Sequence, residues 1–298
     1  MTNGPGAAPV SESAGQRSEA AAASSCSSPF ASSDWWQQLE TAPRSVLMLD
    51  YDGTLSPFVR ERMQAKMFTG ISERLLRLAV APRTRLVLIS GRPARELASL
   101  LPPQLKVEIW GSHGREHLSP DGEYAAFPLT PVQQLHLTQL EAEFRRNGFG
   151  FVLEKKVGSL AIHTRGLSDS LAGRITILAQ DFSSPASASG LQAAGLEWLA
   201  FDGGVELRGI GCTKATAVER ILSQESPRTP AAYLGDDQTD EDAFAALSAR
   251  GPESPSLRVL VRPEPRSSAA DLWLTPPDEL LAFLDRWLQA VVDAEELS

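Results

Sequence analysis

Short apolar runs alternate along most of the chain with segments whose apolar residues recur at helical spacing. The run 45–49 carries no charge, which is typical of a strand buried on both faces of a parallel sheet. In the segment 71–80 the apolar residues fall close to one helical face. The same reading predicts strands at 85–89, 107–110, 231–234 and 257–261, and helices from about 93 and at 213–222, 239–247 and 277–292. This order predicts an α/β fold with a doubly wound parallel sheet.

The pattern changes between residues 116 and 204. Helices are predicted there at 132–146 and 171–182, and strands at 149–154, 159–164 and 196–201. We interpret this block as a smaller α/β cap domain inserted into a core domain that comprises 35–115 and 205–298. Residues 1–34, which are mostly Gly, Ala, Ser and Pro, predict a disordered tail.

Composition and charge restrict the class of partner. The 298 residues are 42% hydrophobic and 22% charged, as in a globular protein, and they carry a formal net charge of −9. This charge argues against nucleic acid or an anionic membrane as the partner, so an anionic substrate has to be attracted by a local cation or by a few basic side chains. Cys26 and Cys212 lack metal-ligand spacing, and the sequence has no long apolar run and no signal peptide. We therefore expect a cytoplasmic protein.

Two carboxylates follow the first predicted strand. Asp50 and Asp52 lie where parallel sheets place their ligands, outside the carboxyl ends of the strands. Because strand side chains alternate, both acids point to one side if the extended geometry persists for two more residues. Gly53 then lets the chain turn sharply. If this segment is considered by itself, the alternative to a catalytic role is an ordinary polar turn after the strand.

Ser90 and Lys214 are two further candidates beside predicted strands and helices. Ser90 follows the second strand, where its hydroxyl and the backbone N–H groups of the next helix could bind an anion, although Ser before Gly is also an ordinary turn. Lys214 follows Thr213, the predicted N-cap, so its cation opposes the helix dipole. This unfavourable placement indicates that Lys214 has a functional role. The alternative is a lysine exposed to solvent on the surface.

An acidic segment follows the predicted strand 231–234. A capping box of Thr239 with Asp242 explains part of its acidity, but Asp236 and Asp237 precede that cap. Hard carboxylate oxygens beside a phosphate suit Mg²⁺, which needs one or two protein carboxylates and keeps several waters.

Five segments together resemble the trehalose-6-phosphate phosphatases of the haloacid dehalogenase superfamily. They are Leu-Asp-Tyr-Asp-Gly-Thr-Leu at 49–55, Ile-Ser-Gly-Arg at 89–92, Gly-Ser-His-Gly at 111–114, Glu-x-Lys at 154–156 with His-x-Arg at 163–165, and Gly-Asp-Asp-Gln-Thr-Asp-Glu-Asp-Ala-Phe at 235–244. The last segment is the most specific. The resemblance extends from about residue 45 to residue 288.

The resemblance implies a division of roles among these residues. Asp50 attacks phosphorus, Asp52 shuttles the proton, and Ser90 and Lys214 hold the phosphate. The expected Mg²⁺ ligands are the side chains of Asp50 and Asp236 and the backbone carbonyl of Asp52. Asp237 is a further candidate ligand, and Asp240 is expected to support the ligands from behind.

The resemblance also implies a sugar site under the cap. Glu154 and Lys156 share one strand face, His163 and Arg165 share a face of the neighbouring strand, and Glu206 matches the acidic residue just after the cap. Ion pairing between these strands is the structural alternative. The substrate-binding residues expected in the core are Gly91, Arg92 and His113.

The implied function is Mg²⁺-dependent hydrolysis of trehalose 6-phosphate, with possible functional coupling to a trehalose-phosphate synthase. Ala215 after Lys214, Thr164 between His163 and Arg165, and a Gly at position 209 where Pro is expected depart from the family pattern. These departures bear on which sugar is bound and leave the residues that hydrolyse the phosphate ester unchanged. The alternatives are a phosphatase of another glycosyl phosphate, such as glucosyl- or mannosyl-3-phosphoglycerate, and a catalytically silent sugar-binding regulatory module.

Overall fold

The computed structural model describes residues 33–59, 61–182, 190–201 and 203–292. Its strands are β1 (Ser45–Leu49), β2 (Thr84–Ile89), β3 (Glu108–Gly111), β4 (Glu116–Leu118), β5 (Tyr124–Ala126), β6 (Leu153–Lys156), β7 (Ser159–His163), β8 (Leu196–Phe201), β9 (Gly204–Gly209), β10 (Ala231–Gly235), β11 (Ser256–Val261) and β12 (Leu272–Leu274). Its principal helices are α1 (Ser33–Thr41), α2 (Ile71–Val80), α3 (Ala94–Leu100), α4 (Pro131–Arg146), α5 (Asp169–Phe182), α6 (Lys214–Leu222), α7 (Asp240–Ser248) and α8 (Asp278–Val291).

The larger sheet is the framework of the core domain. Its strand order is β12-β11-β10-β1-β2-β3-β4-β5, and the first six of these strands are parallel. β4 and β5 continue the sheet in antiparallel pairing. Because β1 lies between β10 and β2, the chain reverses its direction of winding there, and ligands of such sheets bind at this switch point. The predicted α/β fold with a doubly wound parallel sheet is confirmed.

β1 is buried on both faces, as its apolar run predicts. Leu47 and Leu49 pack into one apolar layer, whereas Val46 and Met48 pack into the opposite one. The first layer contains residues of α1, α2, α3 and α8, and the second contains residues of α6 and α7. Helices on both faces therefore fix β1, and with it the start of the loop that carries Asp50.

The cap is a separate antiparallel sheet with its own apolar core. Its strand order is β6-β7-β9-β8, and residues of β7 and β9 pack with residues of α4 and α5. Phe144, Ile162 and Leu207 are completely buried in this cluster. Lys156 at the end of β6 and Gly209 at the end of β9 line a small cleft together with Gly91 and His113 of the core.

The sheet topology corrects both predicted domain boundaries. β4 and β5, assigned to the cap that was predicted from 116, belong to the core sheet, and β9, assigned to the core from 205, is a cap strand paired with β7 and β8. β4 and β5 are three residues each and lack an apolar run. β9 alternates polar and apolar residues because it lies in an antiparallel sheet with one covered face.

The predicted tail 1–34 and Cys26 lie outside the described residues, apart from Ser33 and Asp34, which begin α1. Trp35 and Trp36 on that helix are buried, and their rings contact Trp287 and Phe283 of α8. Among the described helices, none has the length and apolar content needed to cross a membrane.

Candidate active site

Three charged side chains from distant parts of the sequence meet at the carboxyl end of β1. Asp50 follows β1, and its backbone N–H donates to the carbonyl of Leu234 on β10 at 2.9 Å. Lys214 begins α6, and its Nζ donates to Asp50 Oδ1 at 3.0 Å and to Asp240 Oδ1 at 2.6 Å. All three side chains are buried. Lys214 is therefore not a solvated surface lysine.

Burial sets the electrostatics of this cluster. Burial raises the pKa of Asp50 well above its ordinary value, against the attraction of Lys214. Burial alone would lower the pKa of Lys214, but the carboxylates of Asp240 and Asp50 outweigh it and raise that pKa well above the ordinary value. A buried cation is thus held against the candidate nucleophile, and the carboxylates of Asp50 and Asp240 compensate its unfavourable position at the positive end of the helix dipole.

Asp240 accepts hydrogen bonds with both of its carboxylate oxygens. Its Oδ1 accepts from Lys214 and from the hydroxyl of Tyr233 at 2.6 Å. Its Oδ2 accepts from the backbone N–H groups of Asp236 at 2.9 Å and Asp237 at 3.0 Å. Both oxygens are occupied, so Asp240 fixes the loop that carries Asp236.

The residues present fit a divalent cation. One carboxylate oxygen from each of Asp50, Asp236 and Asp240 lies within 4.8 Å of the other two. Asp240 already accepts four hydrogen bonds, so Asp50 and Asp236 are the side chains that could hold the cation. Asp236 Oδ1 is buried and has no hydrogen-bond partner among the described residues. Burial, with the charges of Asp240 and Asp237, raises the pKa of Asp236 to about 8. A cation would satisfy the orphaned oxygen and offset this repulsion.

Glycine is required beside this site. Gly53 has φ +85°, and a Cβ at this position would lie 2.2 Å from Asp236 Oδ2. Any side chain would therefore displace the carboxylate that could hold the cation.

The Asp237 carboxylate lies outside the group of three. Its Oδ1 accepts from the backbone N–H of Thr239 at 2.8 Å and from its hydroxyl at 2.7 Å. The predicted capping box of Thr239 with Asp242 is wrong, because the Thr239 side chain caps no N–H of α7 and Asp237 accepts its proton instead. In this arrangement Asp237 shapes the turn that leads into α7.

Arg266 holds the same loop from the opposite side. Its Nε donates to the carbonyl of Asp236 at 3.2 Å, and its Nη2 donates to the carbonyl of Asp237 at 2.6 Å. Its Nη1 also pairs with Glu241 at 2.6 Å. Sequence reasoning missed Arg266, since it lies in an irregular segment after β11 that has no motif.

The candidate proton shuttle is paired with an arginine. Asp52 accepts from Arg92 Nε at 2.6 Å and from Arg92 Nη2 at 2.7 Å. Nearby, Ser90 Oγ accepts from the backbone N–H of Arg92 at 3.2 Å, which leaves the hydroxyl proton for another acceptor. Ser90 and Arg92 are both buried. A phosphate bound at Asp50 could thus receive a hydrogen bond from Ser90.

His113 lies on the wall of the cleft between core and cap. It adopts left-handed backbone angles, φ 55° and ψ 37°, and a Cβ on Gly91 would lie 2.8 Å from its ring. The same small cleft is lined by Lys156 and Glu206 of the cap. Burial and the charge of Lys214 lower the pKa of His113 to about 3, so its imidazole is neutral.

The predicted sugar-binding residues form two pairs. Lys156 Nζ donates to Glu206 Oε2 at 2.6 Å, and Glu154 Oε2 is 2.8 Å from His163 Nε2. Glu154 and Glu206 lie at the same level of the sheet, since both are in register with Ala161 of β7. Arg165 is exposed in the turn after β7, with its side chain beside Gly203. The structure therefore brings four of the five side chains together in two hydrogen-bonded pairs.

Three arginines at the boundary between core and cap were not predicted. Arg115 Nη2 donates to the carbonyl of Gly209 at 2.9 Å, and Arg115 and Arg208 line the cleft. Arg62 pairs with Glu154 of the cap at 2.7 Å. Arg115 directly follows the Gly-Ser-His-Gly segment and could have been noticed as a cation there, whereas Arg62 has no local signal.

The chain is similar to known proteins over most of its length. The family model described as trehalose-phosphatase matches residues 48–274. A bifunctional trehalose-6-phosphate synthase/phosphatase of Thermoproteus tenax is 32% identical over 204 residues, which are 68% of this chain and 27% of that protein. A trehalose-phosphate phosphatase of Mycobacterium marinum is 31% identical over 263 residues, which cover 83% of this chain and 62% of that protein. The chain thus spans less than two thirds of the length of either relative.

The fold is shared with solved structures. The C-terminal domain of the trehalose-6-phosphate phosphatase of C. albicans superposes with a TM-score of 0.66 at 21% identity, over 86% of this chain and 95% of that one. The family match begins within β1, at residue 48, and includes both Asp50 and the acidic loop that carries Asp236, which come together in the structure. The predicted resemblance is confirmed: the chain belongs to the trehalose-phosphatase family.

Proposed function

We propose that the chain is a Mg²⁺-dependent phosphatase that hydrolyses trehalose 6-phosphate to trehalose and phosphate. The observation that carries the proposal is the buried contact of Lys214 with Asp50, with the orphaned oxygen of Asp236 in the same group of carboxylates, in a chain of this family. A nucleophile, a cation beside it and a metal position are the parts that phosphoryl transfer requires.

In the first step, a carboxylate oxygen of Asp50 attacks phosphorus, and the bond between phosphorus and the sugar oxygen breaks. Asp52 gives its proton to that leaving oxygen, and trehalose departs. In the second step, water gives a proton to Asp52 and attacks the aspartyl phosphate, so the bond between phosphorus and Asp50 breaks and phosphate is released. Both oxygens of Asp52 accept from Arg92 in this structure, so these proton transfers need that pair to part.

The remaining core residues bind the phosphate. Lys214 is held 3.0 Å from Asp50 and carries the positive charge that draws a phosphate oxygen toward the nucleophile. The hydroxyl of Ser90 donates a hydrogen bond to a phosphate oxygen. Mg²⁺ held by Asp50 and Asp236 would neutralise charge that develops on the phosphoryl oxygens.

The cap residues select the sugar. Glu154, Lys156, His163 and Glu206 are charged or polar side chains beside the cleft, and hydrogen bonds from such groups to hydroxyls contribute about 1.5 to 3 kcal/mol each. Three or four such bonds would dominate the choice of sugar. Arg165 takes part only if it leaves the exposed turn in which it lies here.

We also propose that the chain is coupled to a trehalose-phosphate synthase in the cell. The T. tenax relative, whose printed name combines synthase and phosphatase, supports this coupling. A cytoplasmic location stays a prediction, based on the small number of cysteines in the sequence.

A panel of phosphate esters assayed with Mg²⁺ tests the proposal. We expect kcat/KM for trehalose 6-phosphate to exceed that for glucosyl- and mannosyl-3-phosphoglycerate by about a hundredfold or more, because hydroxyl-binding sites reject ligands that leave them unpaired. Asp50→Asn is the control and should release no phosphate. Equal turnover of all esters would contradict the sugar assignment, and turnover of none would favour the regulatory module.

A further inference from the structure

Arg62 joins the two domains with a single guanidinium. It begins a short 3-10 turn, Arg62–Gln64, in the loop between β1 and α2. Its Nε and Nη2 donate to Glu96 Oε1 on α3 of the core, at 3.1 and 2.7 Å. Its Nη1 donates to Glu154 Oε1 on β6 of the cap at 2.7 Å. Two donors therefore hold the core and one holds the cap.

The contacts of Arg62 continue in both directions. Glu96 Oε1 also accepts from Arg92 Nη1 at 3.0 Å, and Arg92 in turn holds Asp52. Glu154 keeps its second oxygen on His163. An unbroken series of charged contacts thus leads from the candidate proton shuttle to the candidate sugar site.

Two features distinguish this arrangement from an ordinary surface ion pair. The Arg62 side chain is 35% exposed and its partners Glu96 and Glu154 are 23% and 30% exposed, so the charges are partly shielded from water. The planar fork of an arginine can also hold two carboxylates at fixed angles, which lysine cannot do. The pair Arg74–Asp285, at 2.6 Å, joins two helices of the core, α2 and α8, rather than the two domains. Arg74 is therefore a suitable control position for Arg62.

We propose that Arg62 is a positioning residue that clasps the cap onto the core and orients Glu154 toward the sugar. The part that concerns the sugar rests on the proposed function. Glu154 Oε1 and Oε2 each retain a lone pair, so a sugar hydroxyl can donate to Glu154 while the clasp is closed. A ligand enclosed by both domains depends on this clasp, whereas a small aryl phosphate bound at Asp50 does not.

The clasp is tested first without substrate. Spin labels at Val80 on α2 and Leu135 on α4, which are 80% and 54% exposed, report the distance between core and cap when the native cysteines are replaced. We expect Arg62→Ala to broaden this distance distribution, and Arg74→Ala to leave it as in the parent. An unchanged distribution in Arg62→Ala would overturn the proposal.

Kinetics test the positioning role. We expect Arg62→Ala to raise KM for trehalose 6-phosphate by about fivefold to tenfold and to change kcat/KM for an aryl phosphate by less than about twofold. Arg62→Lys should recover part of the loss, because it keeps the charge but not the fork. Equal effects on both substrates would overturn the proposal. If the parent does not hydrolyse trehalose 6-phosphate, the proposed function fails. The distance measurement still shows whether Arg62 holds the cap against the core.

Discussion

At the scale of the residue, the site depends on where single charges are placed. Lys214 was predicted because a cation in the first turn of a helix is unfavourable, and the structure shows it compensated by Asp50 and Asp240. Asp50 and Asp236 were predicted to share the cation, with Asp240 in support, and a carboxylate oxygen from each of the three lies within 4.8 Å of the other two.

Other residues of the site could not be predicted. Arg62 and Arg266 act through partners distant in sequence, Glu154 and the carbonyls of Asp236 and Asp237. No local pattern marks an arginine that will find such partners. The partner of the Asp52 carboxylate was missed for the same reason, since its pairing with Arg92 depends on tertiary geometry.

Arg266 provides a prediction at this scale. We expect Arg266→Ala to weaken Mg²⁺ binding by about tenfold, because the carbonyl of Asp237 loses Arg266 Nη2 and that of Asp236 keeps only the longer contact with Arg262 Nη1, at 3.4 Å. Calorimetric titration of the substrate-free protein with Mg²⁺ measures this effect. Arg258→Ala, which breaks an arginine pair with Asp271 on a neighbouring segment, is the matched control. Equal Mg²⁺ affinity in the two variants would refute the role of Arg266.

At the scale of the element, buried parallel strands and long helices were predicted within a few residues. The runs that became β1 and β10 are continuous and apolar, and those of β2 and β11 each contain a single arginine, because helices cover both faces of the sheet. β4, β5, β9 and β12 were missed. Each is short or alternating and is defined by its pairing rather than by its own composition.

A buried carboxylate ties β2 to β3 and predicts a dependence of stability on pH. Glu108 accepts from Arg85 at 2.8 and 3.0 Å and from the indole N–H of Trp110 at 2.9 Å. Burial alone would raise the pKa of Glu108, but hydrogen bonds from His117 and Arg85 outweigh it and lower the pKa from 4.5 to about 2. Because the folded pKa is the lower one, this stabilisation is complete above the unfolded value and is lost as pH falls toward 2.

We therefore expect Glu108→Gln to lower the free energy of unfolding at neutral pH by up to about 3 kcal/mol. The difference from the parent should shrink as pH falls from about 4.5 to about 2. Urea unfolding at a series of pH values measures it, with the more exposed Glu143→Gln of α4 as the control. A difference that stays constant with pH would show that Glu108 does not titrate as described.

At the scale of the whole molecule, the facing surfaces of the two domains carry different sets of charged and polar groups. The core contributes the charges around Asp50, and the cap contributes the pairs Lys156–Glu206 and Glu154–His163. The family resemblance implied this division, but the sequence could not show how closely the cap approaches the core. That approach depends on contacts such as Arg115 with Gly209 and Arg62 with Glu154, which join segments far apart in the chain.

The most direct test of the account is to trap the covalent intermediate. The protein is mixed with trehalose 6-phosphate and Mg²⁺, quenched in acid within the first turnover and digested, and the phosphorylated peptide is identified by mass spectrometry. We predict a phosphoryl group on Asp50 that decays as phosphate appears, and none in Asp50→Asn. Release of phosphate from trehalose 6-phosphate without phosphorylation of Asp50, or with phosphorylation of another residue, would contradict the account.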